Sequence, residues 1–181
     1  MGDSRIKIAN ALKTLAQKND LNKISVDEII SVAGISRQTF YKYFSDKYDL
    51  AFWIYTQDVS SKAVDHFKTC RNFAEMNRLM LNTLKDNKEF YRNMFKNQNV
   101  QNSFFSQFHQ LAVSETINMI GHYNMTKELT AILEVYCTGT DLLIANWLIN
   151  GIKEDIDWIV DILCRAMPGE LKPFLMSESS T

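Results

Sequence analysis

A short run near the start of this 181-residue chain carries side chains that suit the recognition of base pairs. The run extends from Arg37 to Tyr43 and reads RQTFYKY. Arginine can pair with the O6 and N7 atoms of guanine, glutamine can pair with the N6 and N7 atoms of adenine, and hydroxyl and ammonium groups can hold phosphates. On a helix, Phe40 and Phe44 share one face and can anchor it, which leaves the polar side chains for a partner. We expect that partner to be duplex DNA.

Two short helices and a tight turn are predicted to position this run. Ser25 is a good N-cap, and Glu28, three residues later, completes a capping box at the start of the first of these helices. Gly34 ends that helix because glycine readily adopts positive φ, and Ser36 caps the next helix, at about 37–44. A short helix, a turn that contains glycine and a second short helix together predict a helix-turn-helix.

The composition favours helices throughout the chain. Only six glycines and two prolines occur, and 46% of the residues are hydrophobic. Because strand-rich folds need frequent turns, this scarcity predicts an all-α protein. We expect a three-helix DNA-binding domain at residues 1–47, a larger helical regulatory and dimerisation domain at 48–176 and a disordered tail at 177–181. Hydrophobic periodicity places the other helices at about 4–19, 47–67, 73–86, 88–97, 102–120, 126–150 and 154–167.

Charge is unevenly distributed along the chain. The net charge is −1, but residues 1–47 contain eight basic and five acidic residues, which gives +3 there and −4 in the remainder. A basic N-terminal segment on an acidic body suits local contact with phosphates. The N-terminus lacks a signal-peptide pattern, and no apolar run approaches the length of about 18–20 residues that a membrane span requires. We therefore expect a cytoplasmic protein that does not contact membranes.

Catalytic and metal-binding patterns are scarce in the sequence. His66, His109 and His122 lack the E-x-x-H and H-x-x-x-H spacings that hold metal ions on helices. Neither a G-x-S-x-G motif nor a glycine-rich phosphate loop occurs. The three cysteines form no C-x-x-C pair, so we expect ordinary reduced thiols. The sequence therefore predicts that the protein is not an enzyme and that it holds neither a cofactor nor a metal ion.

The segment from Ile24 to Lys47 resembles the DNA-binding head of the tetracycline-repressor (TetR) family. The family pattern reads roughly T-x-x-x-I-x-x-x-A-G-[VI]-S-x-x-T-[FL]-Y-x-[YH]-F-x-x-K. Serine at Ser25 stands where threonine is commoner, and Tyr48 stands where the family usually has glutamate. The positions that fill the pattern in order are Ser25, Ile29, Ala33, Gly34, Ile35, Ser36, Thr39, Phe40, Tyr41, Tyr43, Phe44 and Lys47.

A looser resemblance extends to the C-terminal part of the chain. The run from Trp147 to Glu154 is similar to the end of the C-terminal domain in one subgroup of the family. That subgroup includes a regulator of dihydroxyacetone kinase operons. The resemblance implies a sequence-specific transcription regulator that binds DNA as a homodimer.

The resemblance also implies which residues contact DNA. Base edges would be read by Arg37, Gln38 and Lys42. Phosphates would be held by side chains, or by helix N-termini beside serine caps, at Ser25, Ser36, Thr39, Tyr41, Tyr43 and Lys47. A dimer would place its two heads in successive major grooves, which implies a roughly palindromic operator.

Dimerisation and effector binding are both implied for the helical body. The last two long helices would pair with their copies in a four-helix bundle, at Leu143, Trp147, Ile156, Ile159 and Leu163. A small-molecule effector would occupy a cavity whose candidate lining residues are Met76, Met80, Met94, Phe105, Phe108 and Met119.

Two alternatives remain open. Methionine and aromatic residues also fill ordinary cores, so control by a protein partner that docks on the body is an alternative to a small-molecule effector. A helical protein-interaction module whose helix-turn-helix no longer binds DNA is the alternative function.

Overall fold

The computed structural model describes residues 3–96 and 104–176. Within these ranges the chain is helical and contains no strand, as the scarcity of glycine and proline predicted. The tail predicted to be disordered, 177–181, lies outside the described residues. The α-helices, in chain order, are α1 (Ser4–Ala16), α2 (Val26–Ala33), α3 (Arg37–Tyr43), α4 (Lys47–Tyr55), α5 (Ser61–Cys70), α6 (Phe73–Asp86), α7 (Lys88–Phe95), α8 (Phe104–Ile120), α9 (Lys127–Ile149), α10 (Ile156–Ala166) and α11 (Lys172–Leu175).

Helices α1 to α3 form the head, and their apolar faces meet in its interior. Ile8 and Leu12 of α1, Ile29 of α2 and Phe40 of α3 are all fully buried. Burying a side chain of this size stabilises the fold by roughly 1.5–3 kcal/mol relative to leaving it exposed. Helices as short as α2 and α3 are marginal alone, so this packing maintains them.

One continuous hydrophobic core joins the head to the body. The cluster that contains Leu12 and Phe40 continues through Ile54 of α4 to Tyr91 of α7 and Ile144 of α9. A hydrogen bond also crosses this boundary. The buried amide of Asn93 in α7 donates to the carbonyl oxygen of Ala16 at 2.7 Å, which satisfies an acceptor at the end of α1.

A short π-helical turn at Thr56–Ser60 links α4 to α5 without a break in the helical path. The sequence pattern predicted one helix over about 47–67, and the observed helical path runs from Lys47 to Cys70. Lys13 of α1 forms an ion pair with Asp58 in this turn, so the head contacts the linking turn directly.

Helix α9 is the longest helix among the described residues. Its length and its mean hydropathy of 1.3 over an 18-residue window are sufficient, by composition alone, for a membrane span. The apolar runs of the sequence predicted no such segment. In the structure Leu133, Ile144 and Leu148 of α9 are buried in the body, and Asp141 is buried beside them. These buried apolar residues of α9 belong to the core of the body.

Candidate nucleic-acid interface

Two phenylalanines hold α3 against the rest of the head. Phe40 and Phe44 are buried, and their ring centroids lie 6.0 Å apart. The ring of Phe44 also contacts the ring of Trp53 in α4 edge-to-face, with the centroids 5.7 Å apart. The predicted anchoring role of both residues is confirmed. Because this face of α3 is occupied, the opposite face must point outward.

The caps predicted from the sequence are present and define the turn between α2 and α3. The Ser25 hydroxyl accepts a hydrogen bond from the Glu28 amide at 3.2 Å, and the Glu28 carboxylate accepts one from the Ser25 amide at 2.7 Å. Gly34 ends α2 at φ 63°, and the Ser36 hydroxyl accepts from the Thr39 amide at 3.1 Å. These contacts confirm the helix-turn-helix.

The outer face of α3 presents hydrogen-bonding groups to solvent. Gln38, Tyr41, Lys42 and Tyr43 are exposed, and Thr39 is partly exposed. All but Tyr43 line a shallow open groove along the helix. Such a surface offers amide, hydroxyl and ammonium groups, which can hydrogen-bond to base edges and phosphates.

Arg37 lies at the start of this face in an ion pair that the sequence did not suggest. Its guanidinium donates to the Asp27 carboxylate of α2 at 2.6 Å and lies 5.7 Å from the centre of the Tyr41 ring. Asp27 and the Tyr41 phenol raise the pKa of Arg37 further. An ion pair as exposed as this one contributes little to stability, because solvent screens it. The guanidinium can therefore leave Asp27 for another partner at little cost.

Lys47 and Tyr48 tie the start of α4 to the loop before α2. The Lys47 ammonium donates to the carbonyl oxygens of Ile24 at 2.7 Å and Asn22 at 3.0 Å, and partial burial lowers its pKa. The Tyr48 hydroxyl donates to the side-chain oxygen of Asn22 at 2.8 Å. Tyrosine at position 48 thus has a structural contact of its own where the family usually has glutamate. Of the three ammonium donors of Lys47, two are used within the head.

Arg5 is a further cation on the head, and it was not among the DNA-contacting residues predicted from the sequence. It pairs with Asp3 at 2.8 Å, and its guanidinium lies 6.0 Å from the centre of the Trp53 ring in α4. Tyr43 also contributes to raising the pKa of Arg5, after the larger effect of Asp3. Periodicity within one helix cannot predict the contact between Arg5 and Trp53, because these two residues lie on different helices.

A partly open cavity of about 90 Å³ lies in the body, between α5, α6, α8 and α9. Four of the predicted effector-pocket residues, Met76, Met80, Phe108 and Met119, line it. Met94 is buried in the core instead, and Phe105 packs beside Phe108 with the ring centroids 6.4 Å apart. The structure therefore brings four of the six candidates together around one space.

Two carboxylates, Asp141 and Glu115, are the charged side chains of the cavity lining. Burial raises the pKa of Asp141 to about 7, although its hydrogen bond with His109 lowers it. The His109 imidazole lies 2.7 Å from the Asp141 carboxylate and 3.0 Å from that of Glu134. Partial burial lowers the pKa of His109, but the hydrogen bonds with the two carboxylates outweigh this effect and raise the pKa overall.

We expect stability to fall as the pH rises through neutrality. The folded-state pKa values of Asp141 and His109 are both raised, so the folded chain binds more protons there than the unfolded chain. That stabilisation is complete below the unfolded pKa values and is lost as the pH rises through the folded pKa values, which for Asp141 is about 7. One extra bound proton corresponds to at most about 1.4 kcal/mol per pH unit. Thermal unfolding measured between about pH 4 and 8, which spans the unfolded and folded pKa values of these groups, gives this slope. Asp141→Asn should flatten it, and the exposed-site control Asp161→Asn should not; equal slopes for both variants would contradict the assignment.

The residues predicted to form the dimer interface occupy mostly interior positions. Trp147, Ile156, Ile159 and Leu163 are buried within one chain, and the Trp147 indole donates to the carbonyl oxygen of Glu154 at 3.0 Å. Leu143 is the one partly exposed member of the predicted set. The periodicity of α9 and α10 identifies apolar positions but cannot tell which apolar face packs inside the chain.

An exposed apolar groove runs between α9 and α10. Val135 and Leu142 of α9 are 76% and 40% exposed, and Trp158 of α10 is 50% exposed. The groove contains Gly139, which brings the backbone of α9 close to the surface. Its lining residues are Val135, Tyr136, Gly139, Thr140, Leu143, Ile162, Leu163, Ala166 and Pro168. Clustered apolar side chains of this size mark an interaction surface more often than a solvated one.

Known proteins share this architecture. A family model described as "Bacterial regulatory proteins, tetR family" matches residues 8–52, and one described as "Transcriptional regulator C-terminal region" matches residues 71–169. The HTH-type dhaKLM operon transcriptional activator DhaS of Lactococcus lactis subsp. lactis is 35% identical over 105 residues, 58% of this chain and 56% of the relative. The chain therefore aligns with only about half the length of this curated relative.

Solved structures give the same fold over nearly the whole chain. A dihydroxyacetone kinase operon activator DhaS superposes with a TM-score of 0.65 at 22% identity, over 95% of this chain and 98% of that one. The Thermus thermophilus FadR repressor, solved with lauroyl-CoA, gives 0.60 at 17% identity, over 98% of each chain. The two family models cover the head and most of the body, so the resemblance first seen at the helix-turn-helix extends through the chain. The expectation of a regulator and not an enzyme is thereby confirmed: the chain belongs to the TetR family of transcription regulators.

Proposed function

We propose that this protein binds a specific DNA operator through the outer face of α3. The observation that carries the proposal is the division of α3 into two faces. Phe40 and Phe44 are buried in the head, and Arg37, Gln38 and Lys42 extend outward. A two-turn helix with one anchored face and one face of amide, guanidinium and ammonium groups suits insertion into a major groove.

Phosphate contacts would hold α3 in register on the duplex. Thr39, Tyr41 and Tyr43 offer hydroxyl groups along α3. The serine caps at Ser25 and Ser36 mark the positive ends of two helices, which attract phosphate. Lys47 contributes through the one ammonium proton that is not donated to a backbone carbonyl within the head.

We propose that two copies associate through the apolar groove between α9 and α10. Val135 is an exposed residue of the groove lining, and Leu143 is a partly buried one. Leu142 and Trp158 are exposed apolar residues on the same two helices. A twofold interface would place the same groove of each copy against the other and fix the distance between the heads. Heads about 34–36 Å apart reach successive major grooves, so the operator should be roughly palindromic.

We propose that an effector acts through the cavity of the body. Its volume of about 90 Å³ is well below the roughly 300–1,000 Å³ of drug-sized ligand pockets. The charged groups of its lining are carboxylates, Asp141 and Glu115, which favour a small amine or polyol over a fatty acid. A bound ligand raises the thermal unfolding midpoint at concentrations far below those at which polyols stabilise proteins as excluded osmolytes. Midpoints measured at such low concentrations with small amines, polyols and fatty acids therefore separate these classes. If none of them raises the midpoint, control by a docked protein partner is favoured.

We also propose that this protein regulates an operon related to that of its curated relative. The identity of 35% with an activator of the dhaKLM operon supports control of a dihydroxyacetone-kinase-type operon from the cytoplasm. The relative is described as an activator and the Thermus thermophilus neighbour as a repressor. Family membership is therefore compatible with either direction of control.

A gel-shift assay at increasing salt concentration tests DNA binding. A regulator that neutralises about six to ten phosphates should lose roughly 10³–10⁵-fold in affinity between about 50 and 200 mM salt. The alternative, a helical interaction module that has lost DNA binding, would retain no duplex at any salt concentration. It would instead retain a protein partner in a pull-down.

A further inference from the structure

Three potential metal ligands meet at the corner between α5 and α6. They are the imidazole of His66, the thiol of Cys70 and the carboxylate of Glu75, and their ligand atoms all lie within 4.8 Å of one another. The closest measured pair, His66 Nε2 and Glu75 Oε2, is 3.5 Å apart. We propose that this corner binds a divalent transition-metal ion of the Zn²⁺ class.

The local backbone explains why these side chains meet. His66 and Cys70 lie four residues apart on α5, so they are stacked on one face of the helix. The chain then turns within two residues, with Arg71 in the left-handed region at φ 53°. The Asn72 side chain caps α6 by accepting from the Glu75 amide at 3.1 Å. This cap fixes the Glu75 backbone one turn from the end of α5.

The Glu75 carboxylate differs in orientation from its counterpart in α2. Glu28 occupies the same third helical position, and its carboxylate turns back to accept from the amide of its own cap at 2.7 Å. The carboxylate of Glu75 faces His66 in the preceding helix instead. It is therefore placed to act as a ligand that bridges the two helices.

The donor set selects the class of metal ion. Imidazole nitrogen, thiolate sulfur and carboxylate oxygen together suit Zn²⁺ and similar ions, whereas Mg²⁺ and Ca²⁺ prefer oxygen ligands alone. Bonds of about 2.0–2.3 Å to a tetrahedral ion place neighbouring ligand atoms about 3.3–3.8 Å apart. Side-chain rotations that close the cluster by about 1 Å would achieve this spacing. His66 and Glu75 are half-exposed, which leaves an entry path and room for water as a fourth ligand.

Metal binding would replace a weak contact of the thiol. The Cys70 sulfur now lies 3.9 Å from the carbonyl oxygen of Asn72 as a donor. A bound ion requires the thiolate, so binding releases a proton. The spacing H-x-x-x-C differs from the H-x-x-x-H, E-x-x-H and C-x-x-C patterns on which the expectation of no metal site and of ordinary thiols was based.

Cobalt titration of the purified full-length chain, stripped of metal and kept reduced, tests the site. We expect one Co²⁺ per chain, with the thiolate-to-cobalt charge-transfer band of a bound cysteine and displacement by Zn²⁺. Cys70→Ser should abolish the band, and His66→Ala and Glu75→Gln should each weaken binding at least about tenfold. The matched control is Cys164→Ser, because Cys164 is also a partly buried thiol but lies on α10. It should bind as the native chain does.

Thermal unfolding provides a second test of the site, which does not depend on the charge-transfer band. Zn²⁺ should raise the thermal unfolding midpoint of the native chain and of Cys164→Ser, but not that of Cys70→Ser. Absence of the charge-transfer band from the native chain would overturn the proposal. Unchanged affinity in both His66→Ala and Glu75→Gln would also overturn it, since the metal would then be bound by an isolated thiol.

Discussion

An aspartate at Val135 should convert the protein to monomers and reduce its affinity for a palindromic operator by more than about 100-fold. Val135 is largely solvent-exposed in one chain, so the substitution leaves the monomer core intact. In a twofold interface the carboxylate would be buried twice without a partner, at roughly 3–5 kcal/mol for each uncompensated charge. Light scattering measures the mass, and a gel shift with the full operator measures the affinity.

Leu142→Asp provides an independent test at the same face, and Tyr123→Asp is the matched control. Tyr123 is an exposed aromatic residue on the turn between α8 and α9, outside the apolar groove. The control should remain a dimer. Ile159→Asp would not be informative, because Ile159 is buried within the chain and a charge there would unfold it. Dimers observed for both Val135→Asp and Leu142→Asp would reject this interface.

Replacing Arg37 by alanine should relax base preference at one position of each half-site. A bidentate contact between arginine and guanine contributes about 1–3 kcal/mol of discrimination, which corresponds to roughly 5- to 150-fold. The loss should appear as reduced discrimination between operator variants at constant salt. Tyr41→Phe should instead weaken binding to all sequences about equally, because it removes the hydroxyl that we propose to hold a phosphate.

Two controls separate base reading from a general effect of charge. Arg165→Ala removes an exposed arginine of the body that pairs with Asp161, and it should leave discrimination unchanged. Asp27→Asn releases Arg37 from its ion pair, and it should preserve discrimination while affinity stays equal or rises. If Arg37→Ala discriminates between operator variants as the native chain does, Arg37 does not read a base.

Features encoded within a few residues were predicted correctly from the sequence. The capping box at Ser25 and Glu28, the left-handed Gly34 and the buried pair of Phe40 and Phe44 each follow from spacing within one or two turns. Local stereochemistry determines such contacts, so a single sequence is enough to recognise them. The all-α fold follows similarly from the scarcity of turn-forming residues.

Features that depend on packing between distant helices were not predictable. Periodicity placed Ile159 and Trp147 on apolar faces, but only the arrangement of the helices shows that these faces are buried within one chain. Met94 and Met80 are the same residue type in the same region, yet only Met80 lines the cavity. The pairs Arg37–Asp27 and His109–Asp141 join different helices, so no local pattern indicates them.

The shared core gives a physical route between the cavity and the head. Tyr55 of α4 and Phe108 of α8 both line the cavity, with their ring centroids 5.2 Å apart. Residues Leu50 and Ile54 on the same helix α4 are buried in the cluster that also contains Phe40 of α3. A ligand that displaces the Tyr55 ring would therefore act on the helix that supports α3.

Sequencing of DNA fragments enriched by the native protein from a random duplex pool tests DNA recognition most directly. The proposed dimer predicts an inverted repeat whose half-sites lie about one helical turn, 34–36 Å, apart. It also predicts a guanine in each half-site whose preference disappears in the pool enriched by Arg37→Ala. A pool without any enriched sequence would contradict the assignment of α3 as the recognition helix, and an identical motif for the native chain and Arg37→Ala would contradict base reading by Arg37.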